Sequence, residues 1–204
     1  MNFDNDMFEI KNNWETDVVV PFCFPISLCR GKFEYKEDLI KTIKSSETKQ
    51  LSKKDNSVSN LSLQIIKNFL QINEKYYQYD LSQLSPYVTS LWYNIYKKGE
   101  NITSHVHPNS WFSGVYYPHG TGKTEILFEN PINYVTIEPP RKNFNQYNSS
   151  TWSFKFPEDT MIFFPSYLRH QTFFHQGEEE RISIAFNIFL KGVVSEQAET
   201  YLLL

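Results

Sequence analysis

Cysteine is scarce in this sequence, and its arrangement carries no recognisable chemistry. Only Cys23 and Cys29 occur, and their spacing differs from the C-x-x-C of redox and zinc motifs. No apolar run reaches the roughly 18 residues of a membrane-spanning helix. The segment Met1 to Asp6 is polar and acidic, unlike the start of a secretory signal. We therefore expect a protein of the reducing cytoplasm that has no membrane partner.

Runs of lysine or arginine are also missing. The formal net charge is −3 and the sequence pI is about 6.0. Affinity for nucleic acid comes largely from clustered positive charge. We therefore expect no nucleic-acid partner, whereas free nucleotides and anionic small molecules are compatible with this charge.

Aromatic residues, in contrast, are abundant. The chain of 204 residues holds 17 Phe, 13 Tyr and 4 Trp. Each of these side chains buries a large apolar area, so a compact core can form although aliphatic residues are modest in number. A disordered chain would be poor in such residues.

The first part of the chain, residues 1–85, predicts a strand followed by helices. Val18–Phe24 is β-branched and aromatic but interrupted by proline, which is typical of an edge strand; such an edge could pair with a second copy, giving a homodimer. Helices are predicted at Tyr35–Lys44 and at Leu61–Tyr79, the latter with a Ser or Asn cap, from their apolar spacing. The polar segment Ser45–Asn60 between them predicts an exposed loop.

From residue 86 to residue 204 the pattern is that of short strands. Several short aromatic and β-branched runs separated by turn residues are typical of a jelly roll. The predicted strands are Tyr87–Tyr96, Trp111–Tyr117, Glu125–Phe128, Trp152–Phe156, Thr160–Phe164, Gln171–Phe174 and Arg181–Leu190. Asn130–Ser150 predicts a long loop. We expect an α+β protein that forms a single structural domain, with the N-terminal helices packed on one face of a β-rich catalytic core.

Two histidines near the start of the β-rich region form the motif H-V-H. In an extended segment His105 and His107 point to the same side, so both can reach one metal ion. Neutral imidazole is a common ligand of divalent transition metals. Taken alone the motif is a weak signal that more often marks a surface turn, which Pro108 would favour.

A third histidine and an arginine follow at later strands. His170 ends an apolar strand and a proline turn, and Arg181 and Ser183 share one face of the strand that begins eleven residues later. A guanidinium and a hydroxyl on one face suit a carboxylate ligand. Taken singly, a histidine such as His170 is more often structural, and Arg181 is more readily explained as an exposed partner of a glutamate in Glu178–Glu180.

Together these segments resemble a known superfamily, the 2-oxoglutarate/Fe(II) oxygenases. The likeness is strongest to a family of bacterial and phage proteins that share four motifs, and it covers about residues 86–191. The motifs in this sequence are W-x-N at 92–94, H-x-H-P-x-S-x-x-S-G-V-Y-Y at 105–117, F-P-S-x-x-x-H at 164–170 and R-I-S-x-x-F-N at 181–187. The resemblance implies a double-stranded β-helix (jelly-roll or cupin-like) core, with Fe(II) as cofactor and with 2-oxoglutarate and O2 as cosubstrates.

The resemblance also implies an iron site with one departure from the usual pattern. His105 and His170 match the two histidine ligands of the superfamily, whereas His107 stands where a carboxylate is usual. A site of three histidines is chemically reasonable and leaves three positions open for ligands. The alternative is that His107 turns away and that the protein supplies two ligands.

Further residues are assigned to the cosubstrate by the same resemblance. Arg181 is expected to pair with the distal carboxylate of 2-oxoglutarate, assisted by Ser183. Asn94 and Tyr117 are expected to contact cosubstrate or substrate, although Tyr117 could equally be a core aromatic. Ser113 and Asn187 are weaker candidates.

The reaction implied is that of a dioxygenase which hydroxylates its substrate while 2-oxoglutarate becomes succinate and CO2. By analogy we expect the substrate to be an amino acid, a peptidyl residue or a small metabolite. Two alternatives remain open on the sequence. One is a cupin-type metalloenzyme that does not use 2-oxoglutarate, and the other is a non-enzymatic jelly-roll protein that binds no metal.

Overall fold

A computed structural model of the chain describes residues 15–20, 25–120, 125–132, 137, 139–145, 148–195 and 202–204. Two helices and ten strands occur in these residues. The helices are α1 (Lys36–Ser45) and α2 (Asn56–Ile72), and α2 continues into a π-helical turn at Asn73–Tyr77. The strands are β1 (Glu15–Val20), β2 (Ile26–Arg30), β3 (Leu84–Tyr96), β4 (Phe112–His119), β5 (Glu125–Glu129), β6 (Thr151–Lys155), β7 (Thr160–Pro165), β8 (His170–Thr172), β9 (Arg181–Val194) and β10 (Leu202–Leu203).

Helix α2 begins earlier than its apolar spacing predicts. The side chain of Asp55 accepts hydrogen bonds from the backbone N–H groups of Ser57, at 2.9 Å, and Val58, at 3.2 Å. This is an N-cap, and it draws residues 56–60 of the predicted loop into the helix. The prediction of a loop up to Asn60 and of a Ser or Asn cap directly before Leu61 was therefore wrong.

The larger of two sheets is antiparallel and runs in the order β1-β2-β7-β4-β9-β3, with the short β10 paired to the end of β9. Strand β9 is fourteen residues long and lies between β4 and β3. Because β2 pairs with β7, the N-terminal segment contributes strands to the same sheet as the motif-bearing segments. The division of the chain at residue 86 stays a prediction.

The smaller sheet has the order β6-β5-β8. An isolated bridge between His105 and His170 adds the segment around His105 beside β8. Two sheets of antiparallel strands facing one another form the double-stranded β-helix, as the sequence predicted.

Apolar side chains alternate along the central strands and build a core on each face of the larger sheet. On β7, Met161 and Phe163 face the helices, whereas Ile162 and Phe164 face the smaller sheet. On β9, Ile182 and the alternate residues after it are buried towards the helices. The opposite face of β9 is therefore free to line the space between the two sheets.

The strands from β3 to β9 lie within a few residues of their predicted positions. The first strand is Glu15–Val20 at the edge of the larger sheet, whereas residues 1–14 and 21–24 lie outside the described part. Residues of the predicted loop 130–150 that the structure describes form no helix or strand. No described helix has the length and apolarity that crossing a membrane requires.

Candidate active site

Three histidines from two distant parts of the chain meet between the sheets. One nitrogen from each of His105, His107 and His170 lies within 4.8 Å of the corresponding nitrogen of the other two. The ring centroids are separated by 5.2 Å for His105 and His107, 4.3 Å for His105 and His170, and 5.1 Å for His107 and His170. Such a group can offer three nitrogen ligands to one metal ion.

Backbone pairing brings the three histidines together. His105 and His170 exchange both N–H···O=C bonds, each 3.0 Å long, as a directly opposed pair of an antiparallel ladder does. The backbone N–H of His107 donates to the carbonyl of Ser166 at 3.0 Å. The H-x-H segment is therefore fixed against the turn that delivers His170.

Hydrogen bonds at Nδ1 determine which nitrogen each ring can offer. Nδ1 of His105 lies 2.9 Å from the carbonyl of Thr103, and Nδ1 of His170 lies 2.9 Å from the carbonyl of Leu168. Nδ1 of His107 lies 2.7 Å from the side-chain oxygen of Asn187. Each partner is an acceptor, so each Nδ1 carries the proton and each Nε2 keeps its lone pair. A second interaction of this kind is typical of metal-binding histidines.

Burial keeps two of the rings neutral. It lowers the pKa of His170 to about 3, although the hydrogen bond that His170 donates to the Leu168 carbonyl partly opposes this shift. Burial also lowers the pKa of His107, while the bond to Asn187 raises it. Neutral imidazole is the form that binds a metal, so both rings are ready to act as ligands at neutral pH.

Arg181, at the start of β9, is buried without a hydrogen-bond partner. Its relative exposure is 0%, and none of its three guanidinium nitrogens has a hydrogen-bond partner in the described structure. Burial lowers its pKa, and its guanidinium carbon lies 4.3 Å from the centre of the Tyr96 ring. A buried cation with unsatisfied donors is costly and rare, and the guanidinium donors of this side chain are therefore available to an anion.

The proposed surface pairing of Arg181 is excluded by its burial. The glutamates of Glu178–Glu180 were the alternative partners, and Glu178 instead pairs with Lys98 at the surface. The sequence-based alternative of an exposed ion pair for Arg181 was therefore wrong.

One cavity joins the histidines to Arg181. It is a narrow cavity that is partly open to solvent. All the residues assigned to cosubstrate by resemblance, Asn94, Tyr117, Arg181 and Ser183, line it. Tyr117 is buried, and burial raises the pKa of its hydroxyl to about 12, so the phenol is protonated and can donate a hydrogen bond.

Other residues at the site were not singled out from the sequence. The remaining lining residues are Trp92, Ile102, Val115, Ile126, Gln171, Thr172 and Ala185. Alternation along β9 places Ala185 on the face of Arg181 and Ser183, so that residue was recoverable from strand periodicity. Ile102 was not, because its position depends on two hydrogen bonds to Thr172: its carbonyl accepts the backbone N–H of Thr172, and its own N–H donates to the Thr172 hydroxyl.

The two other histidines lie outside this group. Nε2 of His175 lies 2.7 Å from the carbonyl of Glu179, and His119 lies beside Glu158, with 3.5 Å between Nδ1 and the carboxylate. Both rings therefore contact groups remote from the three histidines.

A family described as "Putative 2OG-Fe(II) oxygenase" matches residues 90–187, the segment that holds the three histidines and Arg181. The chain has no significant match among curated proteins.

Solved structures of low sequence identity share the fold. A prolyl-4-hydroxylase from Pseudomonas putida is 11% identical with a TM-score of 0.53, over 80% of this chain and 84% of that one. HygX from Streptomyces hygroscopicus, crystallised with nickel and 2-oxoglutarate, is 10% identical with a TM-score of 0.57, over 81% and 82%. The epimerase SnoN from nogalamycin biosynthesis is 8% identical with a TM-score of 0.58, over 87% and 84%. Residues 90–187 thus match a 2OG-Fe(II) oxygenase family, and the chain shares its double-stranded β-helix fold with solved structures of such enzymes.

Proposed function

We propose that this protein is an Fe(II)- and 2-oxoglutarate-dependent dioxygenase that hydroxylates its substrate. The observation that carries the proposal is the position of Arg181. A fully buried guanidinium with no hydrogen-bond partner in the described structure lines the same cavity as three histidines with free Nε2 lone pairs. A metal-chelating dicarboxylate such as 2-oxoglutarate could bind a metal ion at the histidines through one end and pair with Arg181 through the carboxylate at its other end.

The residues present fit both groups. His105, His107 and His170 would hold Fe(II) through Nε2, since each Nδ1 is already engaged. Three neutral ligands leave the full charge of the ion uncompensated, and this favours binding of an anionic chelator. When bound, Fe(II) and 2-oxoglutarate supply the oxidising chemistry, in which O2 is consumed and succinate and CO2 are released.

The protein's own contribution is binding, orientation and exclusion of water. Arg181 pairs with the distal carboxylate, and a guanidinium fork suits that group geometrically. Ser183 lies two residues along on the same face of β9 and adds a hydroxyl donor, while Asn94 and Tyr117 supply further polar contacts. Apolar neighbours such as Val115 and Ile126 keep water away from the pair, which strengthens it.

We propose that the substrate is an amino acid, a peptidyl residue or a small metabolite, and that the reaction is its hydroxylation. The Pseudomonas putida neighbour is described as a prolyl-4-hydroxylase, whereas SnoN is described as an epimerase. Hydroxylation is favoured here only by this analogy. The cupin-type and non-enzymatic alternatives are both disfavoured, because neither accounts for an unsatisfied arginine facing the histidines.

The test is anaerobic titration of Fe(II) and 2-oxoglutarate into the metal-free protein, followed by the weak visible charge-transfer band of the chelate. Wild type is compared with Arg181→Met, with His107→Ala and with Arg169→Met, whose arginine is exposed beside His170. We expect the band in wild type and Arg169→Met. We expect at least a tenfold weaker apparent affinity for 2-oxoglutarate in Arg181→Met, because a charged hydrogen-bonded pair contributes about 1.5–3 kcal/mol.

The titrations distinguish three histidine ligands from two, and they distinguish the proposed function from its two alternatives. Loss of the band in His107→Ala supports three histidine ligands, and an unchanged band supports two. Absence of iron binding in wild type would contradict the proposal and favour the non-enzymatic jelly roll. Iron binding with no response to 2-oxoglutarate would favour the cupin-type enzyme.

A further inference from the structure

His107 differs from the other two histidines in how its ring is held. His105 and His170 each use the backbone carbonyl two residues earlier, those of Thr103 and Leu168. For His107 the corresponding carbonyl belongs to His105, and this carbonyl already accepts the backbone N–H of His170 at 3.0 Å. His107 therefore takes its acceptor from a residue eighty positions away, the side chain of Asn187.

Asn187 is itself held by a chain of hydroxyl groups. The hydroxyl of Ser113 donates to the side-chain oxygen of Asn187 at 2.8 Å. The hydroxyl of Ser166 lies 2.7 Å from that of Ser113. Since Ser113 uses its proton towards Asn187, Ser166 donates to Ser113. The side-chain oxygen of Asn187 is thus placed to accept hydrogen bonds from two groups, the hydroxyl of Ser113 and Nδ1 of His107.

The strands fix the positions of this chain. Ser113 on β4 is the direct cross-strand partner of Asn187 on β9 and of Phe164 on β7. Ser166 follows β7, and its backbone carbonyl accepts the N–H of His107. The histidine is consequently held from both its backbone and its ring by groups attached to adjacent strands of the larger sheet.

We infer that Asn187 is a positioning residue, which holds His107 in the Nδ1-protonated tautomer and so presents its Nε2 as the third metal ligand. The inference rests on the proposed function, because it concerns the same metal site. Asn187 supplies a neutral acceptor, so it orients the ring without adding a negative charge. It also lies on the face of β9 that carries Arg181 and Ser183, so one strand serves both the metal ligand and the cosubstrate anchor.

Two substitutions of nearly equal size distinguish positioning from packing. Asn187→Leu keeps the branched shape and the number of side-chain heavy atoms and removes the acceptor, whereas Asn187→Asp keeps an acceptor oxygen and adds a charge. Titration with Co(II), whose visible bands report its coordination, should show affinity about 10- to 100-fold weaker in Asn187→Leu. Asn187→Asp should stay within a few fold of wild type. A packing role predicts the reverse order, because leucine is tolerated in a partly buried position better than an ionised carboxylate.

The tautomer of His107 gives a readout that needs no metal. Long-range proton–nitrogen NMR of the metal-free protein should show Nδ1–H in wild type and Asn187→Asp, and a shift towards Nε2–H in Asn187→Leu. His170 is the internal control, because a backbone carbonyl holds its ring and should keep it unchanged in all three proteins.

The outcomes separate this inference from the proposed function. Equal Co(II) affinity and an unchanged His107 tautomer in Asn187→Leu would overturn the positioning role while leaving the metal site intact. Failure of wild type to bind Co(II), with the His107 tautomer still dependent on Asn187, would instead count against the proposed function alone.

Discussion

The guanidinium of Arg181 carries a positive charge inside the protein, where no described residue accepts a hydrogen bond from it. Removing a cation from water costs several kcal/mol, and contact with the Tyr96 ring offsets only part of that cost. A residue held in this way stabilises the protein only once an anion is bound. The burial of Arg181 without a hydrogen-bond partner is consistent with a binding role and not with a contribution to the ligand-free fold.

Substitution of Arg181 by methionine should therefore stabilise the ligand-free protein. We expect its free energy of unfolding to rise by about 1–4 kcal/mol, the range seen when buried ionic groups are replaced by apolar residues. Urea unfolding without metal or 2-oxoglutarate measures this, and Arg169→Met, at an exposed position, should change stability by less than about 0.5 kcal/mol. A less stable Arg181→Met protein would mean that the guanidinium is stabilised by contacts other than those described.

At the scale of elements, the larger sheet lies between two apolar cores, one shared with the helices and the other with the smaller sheet. Alternate residues of β4, β7 and β9 face the helices on one side and the smaller sheet on the other. Close approach of these strands depends on Gly114 in the middle of β4. A Cβ atom there would lie 2.1 Å from the carbonyl oxygen of Ile162 and 2.3 Å from Cζ of Phe186.

Substitution Gly114→Ala should consequently destabilise the sheet on which the site is built. The backbone oxygen cannot move aside as the end of a flexible side chain can, so we expect a loss of at least about 1–3 kcal/mol. Thermal or urea unfolding checks the expectation. Gly99→Ala is the comparison, because no atom lies within 4 Å of its added Cβ and its cost arises only from the positive φ of 85°. A loss at Gly114 no larger than at Gly99 would contradict the role assigned to close packing.

For the molecule as a whole, closing two sheets over the histidines makes stability depend on pH. In the ligand-free protein the pKa of His170 is lowered from 6.5 to about 3. The unfolded chain then binds more protons than the folded one between these values. The stabilising contribution is complete above pH 6.5 and is lost as the pH falls towards 3.

We therefore expect the ligand-free protein to lose about 2 kcal/mol of unfolding free energy between pH 7 and pH 5 from His170 alone. The lowered pKa of His107 acts in the same direction. Urea unfolding at both pH values measures the loss, and the loss should be smaller in His170→Gln. Equal losses in the two proteins would show that His170 is protonated in the folded state as readily as in the unfolded one.

Much of this architecture was predictable from local patterns. Apolar periodicity and turn residues predicted the strands from β3 to β9, and the motifs around His105, His170 and Arg181 predicted the family and the candidate ligands. These signals act over a few residues, through side-chain direction and backbone preference, and so they are visible in the sequence. The homodimer suggested by the edge strand stays a prediction.

Tertiary structure decided what depends on register and burial. Two of these features join residues that are distant along the chain: the bridge between His105 and His170, and the bond from His107 to Asn187. The third is the burial of Arg181 away from water. No local pattern specifies such contacts, because they arise only when strands pair in one register and two sheets enclose the space between them. The sequence by itself thus determined which residues could bind a metal and an anion, and the packing of the two sheets determined that they face one cavity.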